Sequence, residues 1–93
     1  MKWQVVWTKT VSKQLDRIPD HIRDKFTAWA MVIERVGLLE ARKLVGYHDE
    51  PLKGERQGQR SIRLNRAYRA IYIERPNGAI RIVEVIEVNK HEY

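Results

Sequence analysis

RSIRLNRAYRAIYIERPNGAIRIVEVIEV, residues 60–88, decides the fold. It contains three strand-like runs, Arg60 to Leu64, Tyr68 to Glu74 and Ile80 to Val88, each rich in β-branched or aromatic residues. Pro76-Asn77-Gly78 separates the last two runs, and Asn-Gly supplies the positive φ angles of a type I′ hairpin turn. Asn65-Arg66-Ala67 is a shorter turn between the first two. Both connections are too short for anything but antiparallel neighbours.

Upstream, the pattern changes period. Trp3, Val5 and Trp7 alternate with Gln4 and Val6, which predicts a short strand. Val11, Leu15 and Ile18 then share one helical face, and Pro19 closes that helix. Asp20 is placed to cap a second helix, carried by Ile22, Phe26, Trp29, Ala30 and Ile33. Trp3, Trp7, Phe26 and Trp29 therefore read as core rather than as stacking platforms. Gly37 marks a stop or bend, and Leu38 to Leu44 has room for a further helical turn or two. From Val45 to Gly58 the pattern lapses into Gly, His, Asp, Pro and charge, which predicts a long exposed loop of the kind that is often functional. The expected fold is α+β, one small domain over residues 1–93. Its order is β-α-α-β-β-β, an antiparallel sheet with the two N-terminal helices on one face and the opposite face open to a ligand.

At 93 residues the chain holds one core, and a hydrophobic fraction of 43% is enough to fill it. Cysteine is absent, which removes disulfides, thiolate metal sites and a thiol nucleophile. The N-terminus shows no leader pattern, and no apolar run approaches the ~20 residues of a membrane span. The expectation is a soluble cytoplasmic protein with no membrane partner.

Eighteen Lys and Arg against twelve Asp and Glu leave a net charge of +6, which favours polyanionic partners. The surplus is concentrated. Lys53, Arg56, Arg60, Arg63, Arg66, Arg69 and Arg75 face only Glu55 and Glu74 within their segment. Six of these seven cations are arginine, whose planar fork grips phosphate in a bidentate manner. Alternation groups Arg63 with Ser61 and Asn65, and Arg69 with Ile71 and Ile73, so the arginines do not all share one surface. A solvated face that only keeps the chain soluble is the alternative to a nucleic-acid floor.

Glu50-Pro51-Leu52-Lys53, then Ser61-Ile62-Arg63-Leu64, then Tyr68-Arg69-Ala70-Ile71-Tyr72, and the closing Val88-Asn89-Lys90-His91-Glu92-Tyr93 together resemble the RelE/ParE toxin superfamily. Within it, the ribonuclease branches typified by RelE and YoeB are the most similar. The resemblance covers the second half by motif and the first half by element order. It implies cleavage of messenger RNA, commonly in the ribosomal A site, through attack of the ribose 2′-OH on the adjacent phosphate. Carried over, Glu50 matches the general base, Arg69 the arginine that stabilises charge on the phosphate, and His91 the acid that protonates the leaving 5′-oxygen. Arg63 matches a basic residue of the Ile-x-Leu strand, and Tyr93 a terminal tyrosine that orients RNA. Glu92 separates His91 from Tyr93 where the family pattern has them adjacent, so Glu92 competes as base and the role of Tyr93 stays open. Lys53, Arg63, Arg66 and Tyr93 are expected to hold RNA.

The residue types suit that chemistry independently. A histidine titrates near neutrality, and preorganised guanidinium groups stabilise a phosphorane. His48, close to Glu50, is the substitute base. Tyr68 and Tyr72 suit either stacking or core. No Walker loop, nucleophile elbow or clustered carboxylate site is present in the sequence, so no metal and no cofactor are expected. The expected partners are messenger RNA, the ribosome and an acidic antitoxin. Two other functions fit the same fold: a ParE-like poison of DNA gyrase, and a non-catalytic RNA- or ribosome-binding module.

Overall fold

A computed structural model describes residues 2–90. In chain order the elements are β1 (Lys2–Trp7), α1 (Lys9–Asp16), α2 (Asp20–Val36), α3 (Leu38–Arg42), β2 (Glu50–Pro51), β3 (Arg60–Arg63), β4 (Tyr68–Asn77) and β5 (Ile80–Lys90). Short 3-10 turns at Val45–Tyr47 and Gly54–Arg56 interrupt the long loop. The strands form one sheet in the order β1-β5-β4-β3-β2. The fold is α+β with the two long helices on one face, as the periodicity predicts, but the sheet is mixed rather than antiparallel. Strand β1 lies parallel to β5, with Val5 opposite Val83 and Trp7 opposite Val85. The tight turns dictate direction only for β3, β4 and β5; β1 has no neighbour in sequence to fix its own.

The helices bury one stripe each against the sheet. Val11 and Leu15 of α1, and Ile22, Phe26, Trp29, Ala30 and Ile33 of α2, meet Val5, Ile62, Leu64, Ala70, Tyr72, Val83, Val85 and Val88. At the centre, the Trp29 ring lies 5.4 Å from Tyr72 and 5.9 Å from Phe26. Removing a fully buried aromatic of this kind costs about 3–5 kcal/mol. Tyr72 is thus core, and Tyr68 is only partly buried. Trp7 departs from the expected pattern: it is 40% exposed, packs edge-on against Phe26 at 5.3 Å and donates its indole N–H to Ser12 Oγ. It stands at the last position of its strand.

A bulge keeps two differently phased stretches of β5 on the same side. Ile71 pairs with Glu87 but Tyr72 with Val85, so Ile86 is the extra residue. Val85 and Val88, three apart, therefore both face the helices, and Glu87 and Asn89 emerge on the open face. The β4–β5 turn also differs from the predicted one. Asn77 still pairs with Ile80, and only Gly78 (φ 61°) takes a positive φ. This is the pattern of a glycine-first type II′ turn rather than Asn-Gly in type I′. The second helix starts at Asp20 with Pro19 as its cap position, one residue before the expected cap. Gly37 ends it at φ 90°, where a Cβ would come within 2.8 Å of Trp3 Nε1, so no other residue fits without displacing the indole.

Candidate nucleic-acid interface and active site

The open end of the sheet is built by four strands in register. Glu50 of β2 pairs with Ser61 of β3, Ser61 with Ile71 of β4, and Ile71 with Glu87 of β5. One step along, Arg63 pairs with Arg69, and Arg69 with Asn89. Because cross-strand partners share a face, Arg63 and Arg69 project side by side. Like charges placed directly opposite repel, so this pairing works against the hairpin unless an anion lies between them.

Glu50, Ser61, Arg63 and Arg69 line one cleft, together with His48, Ile62, Asn65, Arg66 and Tyr68. The structure therefore brings together four of the sequence-predicted site residues, Glu50, Arg63, Arg66 and Arg69, along with the substitute base His48. Lys53 is exposed on the loop and does not line the cleft. His91 and Tyr93 lie outside the described residues. The last described residue of β5, Lys90, pairs with Tyr68 on the rim of the cleft.

Local chemistry holds each wall. The Asn65 Oδ1 accepts from the backbone N–H groups of Ala67 and Tyr68, both at 2.8 Å, an Asx turn that sets the bend carrying Arg66. Arg69 donates from Nε to Asn89 Oδ1 at 3.4 Å, and Asn89 in turn donates to Glu87. Glu87 also accepts from Arg56 Nη2 at 2.6 Å, tying the loop to the far end of this relay. Arg63, in contrast, is exposed and makes no ion pair among the described residues.

One structural feature beside the cleft was invisible in the sequence. Asp49, inside the predicted exposed loop, has a side chain only 1% exposed. Its Oδ1 accepts from Arg60 Nε at 2.6 Å and its Oδ2 from the Tyr72 hydroxyl at 2.5 Å. The backbone carbonyl of Asp49 accepts from Arg60 Nη2 at 3.5 Å, and Arg42 Nε donates to the Tyr72 hydroxyl at 3.4 Å. Burial, and then the hydrogen bond to Asp49, push the Tyr72 phenol far above its ordinary pKa, so it stays a donor. For Arg60 burial works against the charge, but the Asp49 carboxylate outweighs it and the pKa is raised. Nothing in the local pattern separates Asp49 from the neighbouring loop charges; only its partners 11 and 23 residues downstream do.

Among the described residues no three His, Asp or Glu side chains gather as a metal site, and no helix is long and apolar enough to cross a membrane.

A small sheet-and-helix domain with a cationic cleft at one end of its open face is the class that these observations define. The family described as the ParE toxin of type II toxin–antitoxin systems matches residues 5–92. The chain belongs to that family, within the RelE/ParE superfamily of toxins. Solved structures share the fold at low identity. The YoeB/ParE toxin from Agrobacterium tumefaciens is 24% identical, with a TM-score of 0.72 over 96% of this chain and 99% of that one. YafQ from Escherichia coli is 15% identical, with a TM-score of 0.73 over 97% and 94%. The toxin of the YoeB–YefM complex from Staphylococcus aureus is 18% identical, with a TM-score of 0.70 over 99% and 100%. Among curated proteins, none matches the sequence.

Proposed function

We propose that this toxin is an endoribonuclease that cuts messenger RNA without a metal, in the ribosomal A site, and so halts translation. The observation that carries the reading is the convergence of Glu50, Arg63, Arg66 and Arg69 on one cleft. Glu50 takes the proton of the ribose 2′-OH, with His48 beside it as the alternative base. The freed oxygen attacks the adjacent phosphate, and Arg69 stabilises the charge of the phosphorane while Arg63 and Arg66 hold the flanking backbone. His91 protonates the departing 5′-oxygen, leaving a 2′,3′-cyclic phosphate and a 5′-hydroxyl. Each well-placed acid or base is worth ~10²–10⁴-fold in rate. Lys53 adds a phosphate contact on the approach, and Tyr93 orients the RNA.

The fold also serves a second reading, inhibition of DNA gyrase, and the ParE description of the matching family favours it. The two readings separate in one experiment. The purified chain is added to translating ribosomes with mapping of message 5′ ends, and in parallel to gyrase with supercoiled DNA. Codon-positioned cuts that His91→Ala abolishes are expected. Broken DNA with intact message would establish the gyrase reading, and binding to ribosomes without breakage would leave a non-catalytic module.

The partner expected under this reading is an acidic antitoxin protein, since the S. aureus relative was solved as a complex with YefM and the cleft is strongly cationic. Opposite charge would speed its docking. Expression without the antitoxin is expected to arrest growth. Harmless high-level expression of the intact chain would argue against a toxin that acts on the host.

A further inference from the structure

We infer that Asp49 is the positioning residue of the cleft: its buried carboxylate, clamped between the Arg60 guanidinium and the Tyr72 hydroxyl, holds the loop so that His48 and Glu50 are presented to the substrate. The inference rests on the endoribonuclease reading for its kinetic consequence.

The backbone alone secures this segment weakly. Strand β2 is two residues long, and Pro51 has no N–H to donate. Beyond that ladder, Leu52 N–H reaches Gln59 O at 2.9 Å and His48 N–H reaches Val45 O at 3.1 Å. Three consecutive residues then divide between two environments. His48 and Glu50 line the cleft, and Asp49 between them is turned away onto Arg60 and Tyr72. His48 reaches this arrangement in the left-handed region, at φ 45° and ψ 50°, a conformation that a non-glycine residue holds only against a cost. Asp49 is the anchor that holds it there.

A buried ion pair is a poor way to gain stability, because apolar residues of the same volume do as well or better. What a carboxylate gives here is direction. Its two oxygens have separate donors, one from β3 and one from β4, so both the position and the orientation of residue 49 are fixed. A group that must meet a 2′-OH within hydrogen-bond reach needs that fixation, and a displacement of ~1 Å costs about 10²-fold in rate.

The test uses the full chain with ribosomes programmed with a defined message, under single-turnover conditions. Asp49→Ala is expected to lower the cleavage rate about 10- to 100-fold while the half-saturating ribosome concentration changes by less than about 3-fold. Asp49→Asn, which keeps one oxygen to accept from Arg60 but turns an amide N–H toward Tyr72, is expected to recover part of the rate. Adding Asp49→Ala to the double variant His48→Ala/Glu50→Ala should slow it no further, because Asp49 acts through those two residues. Multiplicative effects, or a loss in Asp49→Ala that merely follows the unfolded fraction in a melt, would overturn the inference. Amide exchange separates this failure from failure of the nuclease reading. Even in a chain that cuts no RNA, Asp49→Ala should speed exchange at residues 48, 49, 50 and 52 and leave α2 unchanged, and unaltered exchange in the loop overturns the anchoring itself.

Discussion

Arg60 and Arg63 stand at the two ends of one four-residue strand and on opposite faces of it. Arg60 turns toward the helix side, where Asp49 neutralises it and Tyr72 completes the cluster. Arg63 turns to the open side, opposite a second arginine, Arg69, and among the described residues lining the cleft Glu50 is the one carboxylate. A count of charge treats the two alike. Their surroundings make one a structural tie and leave the other exposed in the cleft, where the proposed chemistry has it meet phosphate. The same division holds for the carboxylates, with Asp49 inside and Glu50 at the cleft. Basicity of the segment is therefore less informative than which of its charges the fold has already spent.

Substitutions on the two faces should fail in different ways. The largest effect is expected at Arg69. Arg69→Ala should lower the single-turnover cleavage rate about 10²–10³-fold, the loss typical of one preorganised donor to a transition-state anion, with the melting curve nearly unchanged. Full activity in that variant would remove the open face from the chemistry. Next comes the inner face: Arg60→Ala leaves the Asp49 carboxylate buried without its cation and should cost about 3 kcal/mol in denaturant unfolding. A loss below ~0.5 kcal/mol would mean that the tie is not structural.

The inner face should also respond to alkali. The Tyr72 phenol has its pKa raised in the folded chain, so above the ordinary tyrosine value the unfolded chain releases a proton that the folded chain keeps. Stability from this group is complete below pH ~10 and declines as pH rises, by about 1.4 kcal/mol per unit. Tyr47, also raised by burial, contributes in the same direction. The difference in unfolding free energy between wild type and Tyr72→Phe, followed from pH 8 to about pH 11, isolates the Tyr72 part. A difference independent of pH would contradict the buried donor. The smallest effects belong to the exposed cations. Arg63→Ala should weaken RNA binding less than about 10-fold and reduce the log–log salt slope by about 1, and Lys53→Ala, farther out, should do less still.

The contrast explains what was readable beforehand. Helical stripes, strand alternation and short turns specify α1, α2 and the β3–β4–β5 meander, because each depends on neighbours within a few residues. The parallel pairing of β1 with β5 depends on a partner more than 70 residues away, and no local signal encodes it. Arg63 and Arg69 fell on separate strands whose register the alternation could not set, so their pairing on one face emerged only from the three-dimensional sheet. Glu50 was legible through its family motif. Asp49, one residue earlier, was not, since a buried loop carboxylate looks like any other until its donors are located. The bulge at Ile86 had a faint trace in the sequence: Val83 and Val85 are in phase with one another and out of phase with Val88.

The central claim is that this cleft directs a ribose 2′-hydroxyl onto its neighbouring phosphate. It is tested most directly by the chemistry of the cut, using a message that carries a single 2′-deoxynucleotide at the mapped cleavage position on programmed ribosomes. The account predicts no cleavage at that position, and from the unmodified message a 5′ fragment whose mass corresponds to a 2′,3′-cyclic phosphate. Cleavage of the deoxy-substituted message, or a fragment ending in a 3′-hydroxyl, would contradict it.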